Sequence, residues 1–170
     1  MARDDQAELA ALCAGEYGRL VCSLRLFVSD AGVAQELAQE ALLKLCEQWP
    51  KVCRHDRPTA WLYAVAFNGA RSWRRRRGAE RRAYARVRLL DEPRTADAEE
   101  AVAVRAAIAE LAPRQRQAVI LRYFLGLTTA EAAIVMSCAD GTVRALTSQG
   151  LAALRRSAHL DREELAFHEP

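Results

Sequence analysis

Four consecutive arginines, Arg74 to Arg77, end a stretch of the chain that also carries aromatic and amide side chains. Guanidinium groups suit phosphate geometry, and a cluster of them is typical of a surface that binds a polyanion. Tyr63 and Asn68 lie off the apolar stripe of this stretch, where a stacking or polar side chain could meet a base. The alternative is an amphipathic helix with a solvated basic end, whose arginines contribute little to folding.

A second pattern that indicates nucleic-acid binding spans Thr128 to Gln149. Two helical segments joined by a short turn, with the small pair Ala132-Ala133 at their crossing, predict a helix-turn-helix. The N-terminal residues of the second helix would then meet the major groove, and Arg144 could contact phosphate or a guanine edge. A plain helical hairpin inside a bundle is the alternative.

Residues suited to catalysis or metal binding do not form a convincing set. Serines lack a base partner, and the three histidines fall in a loop and in the C-terminal tail. Cys46, Cys53 and His55 could be imagined as zinc ligands, but their spacing is poor and no fourth ligand is evident. We therefore expect no enzymatic activity, no cofactor and no metal.

Composition favours an all-α protein, because Ala, Leu, Arg and Glu dominate while Gly and Pro are sparse. Five cysteines without a CxxC pair or a signal peptide indicate reduced thiols in the cytoplasm. No apolar run approaches the ~20 residues that span a bilayer. Net charge is only +3, yet residues 71–88 hold nine arginines against the single acid Glu80. The basic charge is therefore concentrated where the nucleic-acid pattern lies.

Apolar periodicity and turn signals predict two small helical domains joined by a linker, the second a four-helix domain with the helix-turn-helix. Helices are expected over 4–28, over 31–49 with a stop at Pro50, and from Pro58 toward Leu90. Capping boxes are expected at Asp97 with Glu100 and at Thr128 with Glu131, where the helix-turn-helix begins. Asp30 is expected to cap the second helix, and Asp140 or Thr142 the last one. The boundaries are 1–90 for the first domain, 91–97 for the linker, 98–157 for the second domain and 158–170 for a polar tail.

Four pieces of sequence, in this order, resemble the extracytoplasmic-function group of RNA polymerase sigma factors in the sigma-70 family. They are Asp30 with Gln35 to Ala41, Pro58 to Arg77, Leu111 to Arg116, and Glu131-Ala132-Ala133 with Gly141 to Arg144. The resemblance covers roughly residues 10–157. It implies a factor that binds core RNA polymerase and directs promoter recognition and melting.

The resemblance also implies roles for individual residues. The polymerase-binding set is Gln35, Glu36, Leu37, Gln39 and Glu40. The set for the promoter's downstream element and its melting is Lys51, Arg54, Arg57, Trp61, Tyr63, Asn68, Arg71, Arg74, Arg75, Arg76 and Arg77. The set for the duplex upstream element is Thr128, Asp140, Gly141, Thr142, Arg144, Thr147 and Ser148. An anti-sigma factor is a further partner that many relatives have.

Three departures from the group's pattern affect the second and third sets. Ser72 stands where many members carry an acid, Ala145-Leu146 replaces a commoner Ser-Arg pair, and Gln149-Gly150 replaces a commoner Arg-Ala pair. The last two remove cations from the recognition helix, so upstream binding is expected to be weak or unusual in sequence preference.

Two other functional classes fit part of the sequence. A helix-turn-helix regulator of duplex DNA, with residues 1–90 as a dimerisation or sensing domain, needs neither the arginine-ended helix nor the Gln/Glu-rich face before it. A helical protein–protein adaptor leaves the arginine run unexplained.

Overall fold

The computed structural model describes residues 3–84 and 99–157, with side chains for 5–78 and 104–156. Within these ranges the chain is helical and has no strand, which confirms the all-α fold class. The helices are α1 Arg3–Val28, α2 Ala31–Val52, α3 Pro58–Tyr84, α4 Glu99–Glu110, α5 Pro113–Val119, a π-helix Ile120–Phe124, α6 Thr129–Met136 and α7 Asp140–Ser157.

The junction between α1 and α2 is set by two residues. Ser29 adopts a left-handed conformation with φ 63° after α1. The Asp30 carboxylate then accepts a hydrogen bond of 2.9 Å from the Val33 N–H, as a helix N-cap does. The predicted cap is therefore confirmed, and it fixes where the exposed face of α2 begins.

The predicted stop of α2 at Pro50 is wrong, because the helix continues to Val52. A proline this close to the C-terminus removes only one backbone hydrogen bond. Burial of Trp49 and Val52 holds the last turn against the core. Lys51 consequently lies on α2, and the loop before α3 is shorter than expected.

Helix α3 begins at Pro58, as predicted, and passes through Gly78 without interruption. Of the apolar stripe predicted for this helix, Leu62, Ala66 and Ala70 are buried as expected, but the buried face extends beyond the stripe. Tyr63 and Phe67 are fully buried, whereas Trp61, Val65 and Trp73 are only partly buried. The expected extension toward Leu90, the linker 91–97 and the 97–100 capping box lie outside the described residues.

The second half contains the predicted helix-turn-helix. Gly126 has a positive φ of 68° before α6, and Thr128 and Glu131 form the expected capping box. Ser137, with φ 50°, ends α6 in a left-handed turn. The expected cap of α7 by Asp140 or Thr142 is wrong, because the Ala139 carbonyl accepts the first bonds of that helix.

Helices α5 and α7 cross closely at Gly150. A Cβ at this position would lie 2.7 Å from Val119 Cγ2 and 3.4 Å from the Gln115 carbonyl oxygen. The absence of a side chain therefore sets how near the two helices approach.

The two halves pack against each other through α1, α3, the π-helix and α6. One contiguous cluster of buried apolar side chains includes Leu24, Phe27 and Phe67 from the first half and Ile120 and Met136 from the second. The rings of Phe27 and Phe67 meet edge to face, 5.4 Å between centroids. The sequence predicts two domains but not this shared core.

Candidate polymerase and nucleic-acid interfaces

The expected polymerase-binding residues form an exposed polar face on α2. Gln35, Glu36, Gln39 and Glu40 are all exposed, while Ala34, Ala38 and Ala41 on the opposite side are buried. Leu37 is the exception, because it is only 8% exposed and packs in the core. Its assignment to the contact surface is therefore corrected to a packing role.

The last turn of α2 and the loop after it carry part of the expected downstream set. Lys51, Arg54 and Arg57 are exposed. The Arg57 guanidinium pairs with the Glu131 carboxylate at the start of α6. The Thr128 hydroxyl, and secondarily Arg57, hold the pKa of that carboxyl below its usual range. One downstream candidate is thus tied to the helix-turn-helix in this arrangement.

Tyr63 does not lie where a base could reach it. Its side chain is 1% exposed, and its hydroxyl donates a 2.6 Å hydrogen bond to the Glu16 carboxylate on α1. Burial, followed by this hydrogen bond, raises the pKa of the phenol above its usual value. The expectation that Tyr63 stacks on a base is corrected: it links α3 to α1.

Replacing Tyr63 with Phe is expected to lower the free energy of unfolding by about 1.5–3 kcal/mol, since a hydrogen bond to a charged group is lost. Binding of a single-stranded downstream element should be unchanged. Thermal or urea unfolding and a binding titration on the same preparation measure both quantities. A variant of unchanged stability that binds the DNA less well would restore the base-contact role.

The arginine run at the end of α3 is not four equivalent surface groups. Arg74 donates a 2.6 Å hydrogen bond to the Phe27 carbonyl oxygen and lies 5.2 Å from the centre of that residue's ring. Arg77 lies 5.5 Å from the ring centre of Trp73. Arg75 and Arg76 are exposed. The alternative of a solvated basic end therefore does not describe Arg74, which is bound to α1.

The remaining downstream candidates lie nearby on α3. Asn68 is exposed and its side-chain oxygen accepts a hydrogen bond from Arg71. Arg71 also donates a 3.4 Å bond to Gln117 of α5. Trp61 is partly buried and packs against the core. The structure therefore leaves Asn68 available to solvent but engages Arg71 with the second half.

The expected upstream set lies on the first turns of α6 and α7. Asp140, Gly141, Thr142, Arg144 and Ser148 are exposed. Thr128 is exposed too, although its hydroxyl is used in the capping box. Thr147 is only 8% exposed and faces the core, so its assignment to DNA contact is corrected.

Arg116 is a functional candidate that sequence reasoning did not single out. It is 3% exposed and donates a 2.9 Å hydrogen bond to the Phe27 carbonyl oxygen, and further bonds to the carbonyls of Ala109 and Leu111. Burial, followed by the nearby charge of Arg74, lowers its pKa to about 10. A buried cation thus connects the two halves through backbone acceptors.

Metal-ligating side chains do not cluster within 5–78 and 104–156. No group of three or more His, Cys, Asp or Glu residues in these ranges could hold an ion. Of the cysteines considered as zinc ligands, Cys46 is exposed and Cys53 is partly buried.

None of the helices in the described ranges has the length and apolar character needed to cross a membrane.

Two family models match the chain in the expected order. Residues 14–80 match Sigma-70 region 2, and residues 101–154 match Sigma-70, region 4. The first spans α2 and most of α3, and the second contains the helix-turn-helix.

Curated relatives agree over most of their length. The ECF RNA polymerase sigma factor SigC of Mycobacterium tuberculosis (strain CDC 1551 / Oshkosh) is 32% identical over 139 residues, which cover 79% of this chain and 75% of the relative. The RNA polymerase sigma-E factor of Streptomyces avermitilis is 31% identical over 157 residues, covering 88% and 86%.

A solved structure shares the fold. It is the sigma factor RpoE in complex with the anti-sigma factor NepR from Bartonella quintana, with a TM-score of 0.76 at 24% identity, covering 95% of this chain and all of that one. The resemblance drawn from the four sequence pieces is therefore confirmed. The chain belongs to the extracytoplasmic-function group of RNA polymerase sigma factors in the sigma-70 family, whose members direct transcription initiation.

Proposed function

We propose that the chain binds core RNA polymerase through the exposed face of α2 and directs it to promoters whose two elements contact different halves of the molecule. The observation that carries this proposal is the continuous polar face of Gln35, Glu36, Gln39 and Glu40, on the same molecule as an exposed helix-turn-helix. The protein itself catalyses nothing, needs no cofactor and acts in the cytoplasm beside the polymerase.

The downstream element is assigned to the first half. Asn68 and Trp61 would contact a flipped base, while the exposed Arg75 and Arg76 follow the backbone. Their side chains lie along one helix, so a base and the phosphates beside it could be held together. Lys51 and Arg54 would complete this surface from the end of α2 and the loop after it.

The upstream element is assigned to α7. Arg144 is the exposed cation among its first residues, and Ser148 lies one turn further along the same face. Residues of a recognition helix contact bases from its N-terminal turns. With few cations on this face, we expect upstream affinity to be modest and its salt dependence shallow.

Reconstitution with core polymerase tests this assignment. The full chain should co-purify with core enzyme. The mixture should initiate transcription from a promoter at which core enzyme alone does not initiate. A regulator that binds duplex DNA without polymerase, the alternative weighed from the sequence, would bind the promoter but not co-purify. The family match does not favour that alternative.

We further propose that promoter binding requires the two halves to separate. Arg57 and Arg71 are engaged by Glu131 and Gln117, and Arg19 donates a 2.8 Å hydrogen bond to the Leu125 carbonyl oxygen. These contacts exist only while the two halves are packed together, which we call the closed arrangement. They lower the population of molecules with separated halves that polymerase and promoter can bind.

Replacing Arg19 with Gln removes one contact of the closed arrangement and is therefore expected to tighten holoenzyme formation about twofold to tenfold. Arg19 lies outside every assigned contact set, so the change should spare the polymerase-binding surface itself. Titration of labelled protein with core polymerase measures the change. Arg156, exposed at the end of α7, offers the control variant Arg156→Gln with the same loss of charge. If both variants bind like the unaltered protein, separation does not limit binding.

An anti-sigma factor completes the proposal as an external inhibitor. The structurally similar RpoE is seen with such a partner. Affinity purification of the factor from the native cell, during growth and under stress, should recover the anti-sigma factor in a stoichiometric complex with it. Recovery of the factor alone under every condition would contradict this part of the proposal.

A further inference from the structure

A cleft of about 730 Å³ lies between α3 and the second half, and arginines dominate its lining. Arg71, Arg74 and Arg75 line it from α3, and Arg114 faces them from the start of α5. Among the residues that the structure describes, the rest of the lining is Phe27, Asn68, Ser72, Pro113, Met136 and Ser137, and none of these is acidic.

The positive charges of the two halves act on one another across this cleft. Burial, followed by the charges of Arg114 and Arg75, lowers the pKa of Arg71. The charge of Arg74 also contributes to the lowered pKa of Arg116 beneath it. Packing of the halves therefore brings like charges together, at an electrostatic cost to the closed arrangement.

Among the described residues, the side-chain acceptors that bind Arg71 and Arg75 are neutral. Arg71 bonds to the neutral amide oxygens of Gln117 and Asn68, and Arg75 donates a 3.0 Å bond to the Ser72 hydroxyl. Arg114 is exposed and makes no hydrogen bond or ion pair with any side chain in 5–78 or 104–156. A negatively charged ligand would balance the positive charge of the arginines that line this cleft.

We propose that this cleft binds a small oligophosphate anion, either inorganic or the phosphate chain of a nucleotide, and that the bound anion holds the two halves together. The volume is that of an ordinary small-molecule site. Three linked phosphates carry roughly four negative charges at neutral pH, enough to meet the guanidiniums of Arg71, Arg75 and Arg114 while Arg74 keeps its contacts with Phe27.

The proposal rests on the proposed function, because Arg75 is also assigned to the promoter backbone and Arg71 belongs to the expected downstream set. An anion bound to the closed arrangement would occupy these arginines and stabilise the form that cannot span a promoter. The cleft would thus make initiation sensitive to the concentration of a phosphorylated metabolite.

Calorimetric titration of the full chain with sodium tripolyphosphate, without polymerase or DNA and at constant ionic strength, tests the site. One anion should bind per protein. Arg114→Gln should weaken binding roughly tenfold, as loss of a charge-assisted hydrogen bond predicts, while Arg156→Gln should change it less than twofold. Absence of binding, several anions per chain or equal weakening in both variants would overturn the proposal.

Parallel titrations with adenosine and guanosine triphosphates distinguish the two sources. Tighter binding of tripolyphosphate assigns the site to an inorganic anion, and tighter binding of either nucleotide assigns it to a nucleotide. Arg114 belongs to none of the assigned contact sets, so Arg114→Gln should bind core polymerase normally and lose inhibition by the anion. Inhibition that persists in this variant would contradict the role of the cleft.

Discussion

Changing both Glu36 and Glu40 to Lys is expected to abolish binding of core polymerase while leaving the protein folded. Both carboxylates are exposed on α2 and make no hydrogen bond or ion pair with the described residues, so the fold does not depend on them. At an interface, like charges placed opposite each other cost several kcal/mol, or a loss of at least about a hundredfold in affinity. Co-purification and a fluorescence titration with core enzyme measure the loss.

Glu8 and Glu110 provide the matched control, because both are exposed and lie on other helices. Changing them to Lys adds the same four positive charges, from +3 to +7, without touching α2. If the control loses binding equally, net charge is responsible. If the α2 variant still co-purifies with core enzyme, the docking face lies elsewhere.

Changing Arg75 and Arg76 to Gln is expected to weaken open-complex formation and to flatten its salt dependence. These two arginines are the exposed members of the run, so the variant spares the anchoring contacts of Arg74 to Phe27 and of Arg77 to Trp73. The slope of log affinity against log salt should fall by up to about two units for duplex contacts and less for single strands. Core binding and stability should hardly change.

Open-complex yield against salt, measured at several concentrations, gives the slope for both proteins. Arg155→Gln with Arg156→Gln removes the same charge from the end of α7 and should leave the slope for the downstream element unchanged. If the slope of the α3 variant is unaltered while the protein is folded and bound to polymerase, the exposed arginines are solvated and do not contact promoter phosphates.

Sequence patterns predicted the elements more reliably than the orientation of their side chains. Asp30, the Thr128–Glu131 box and Pro58 mark helix starts because capping and proline geometry are local. The buried face of α3 depends instead on what packs against it. Both α1 and the second half cover this helix, so Tyr63 and Phe67 are buried although a single stripe predicts otherwise.

The contacts between the halves could not be predicted from the sequence, since they join residues far apart in the chain. Arg116 illustrates the problem. A cation in a helix suggests a solvated position, yet here backbone carbonyls of α1 and α4 accept its hydrogen bonds. Arg74 was placed in a surface run for the same reason. Burial of a charged side chain is visible only when its acceptors are known.

The departures from the family pattern on α7 also have a structural meaning. Leu146, where an arginine is commoner, is partly buried and packs against the core. Gln149 is exposed, and its side-chain oxygen accepts a 3.3 Å hydrogen bond from Gln115 of α5. One lost cation is thus replaced by packing and the other by a surface contact between helices.

The close crossing of α5 and α7 makes residues 119 and 150 epistatic. Alanine is ordinarily better than glycine inside a helix by about 0.5–1 kcal/mol, but its methyl group at 150 would meet Val119 Cγ2 at 2.7 Å. An evolutionary path back to the commoner alanine therefore has an order: Val119 must first become smaller, and only then does Gly150→Ala become favourable. The two positions are expected to covary among close relatives, although neither contacts DNA or polymerase in the proposed function.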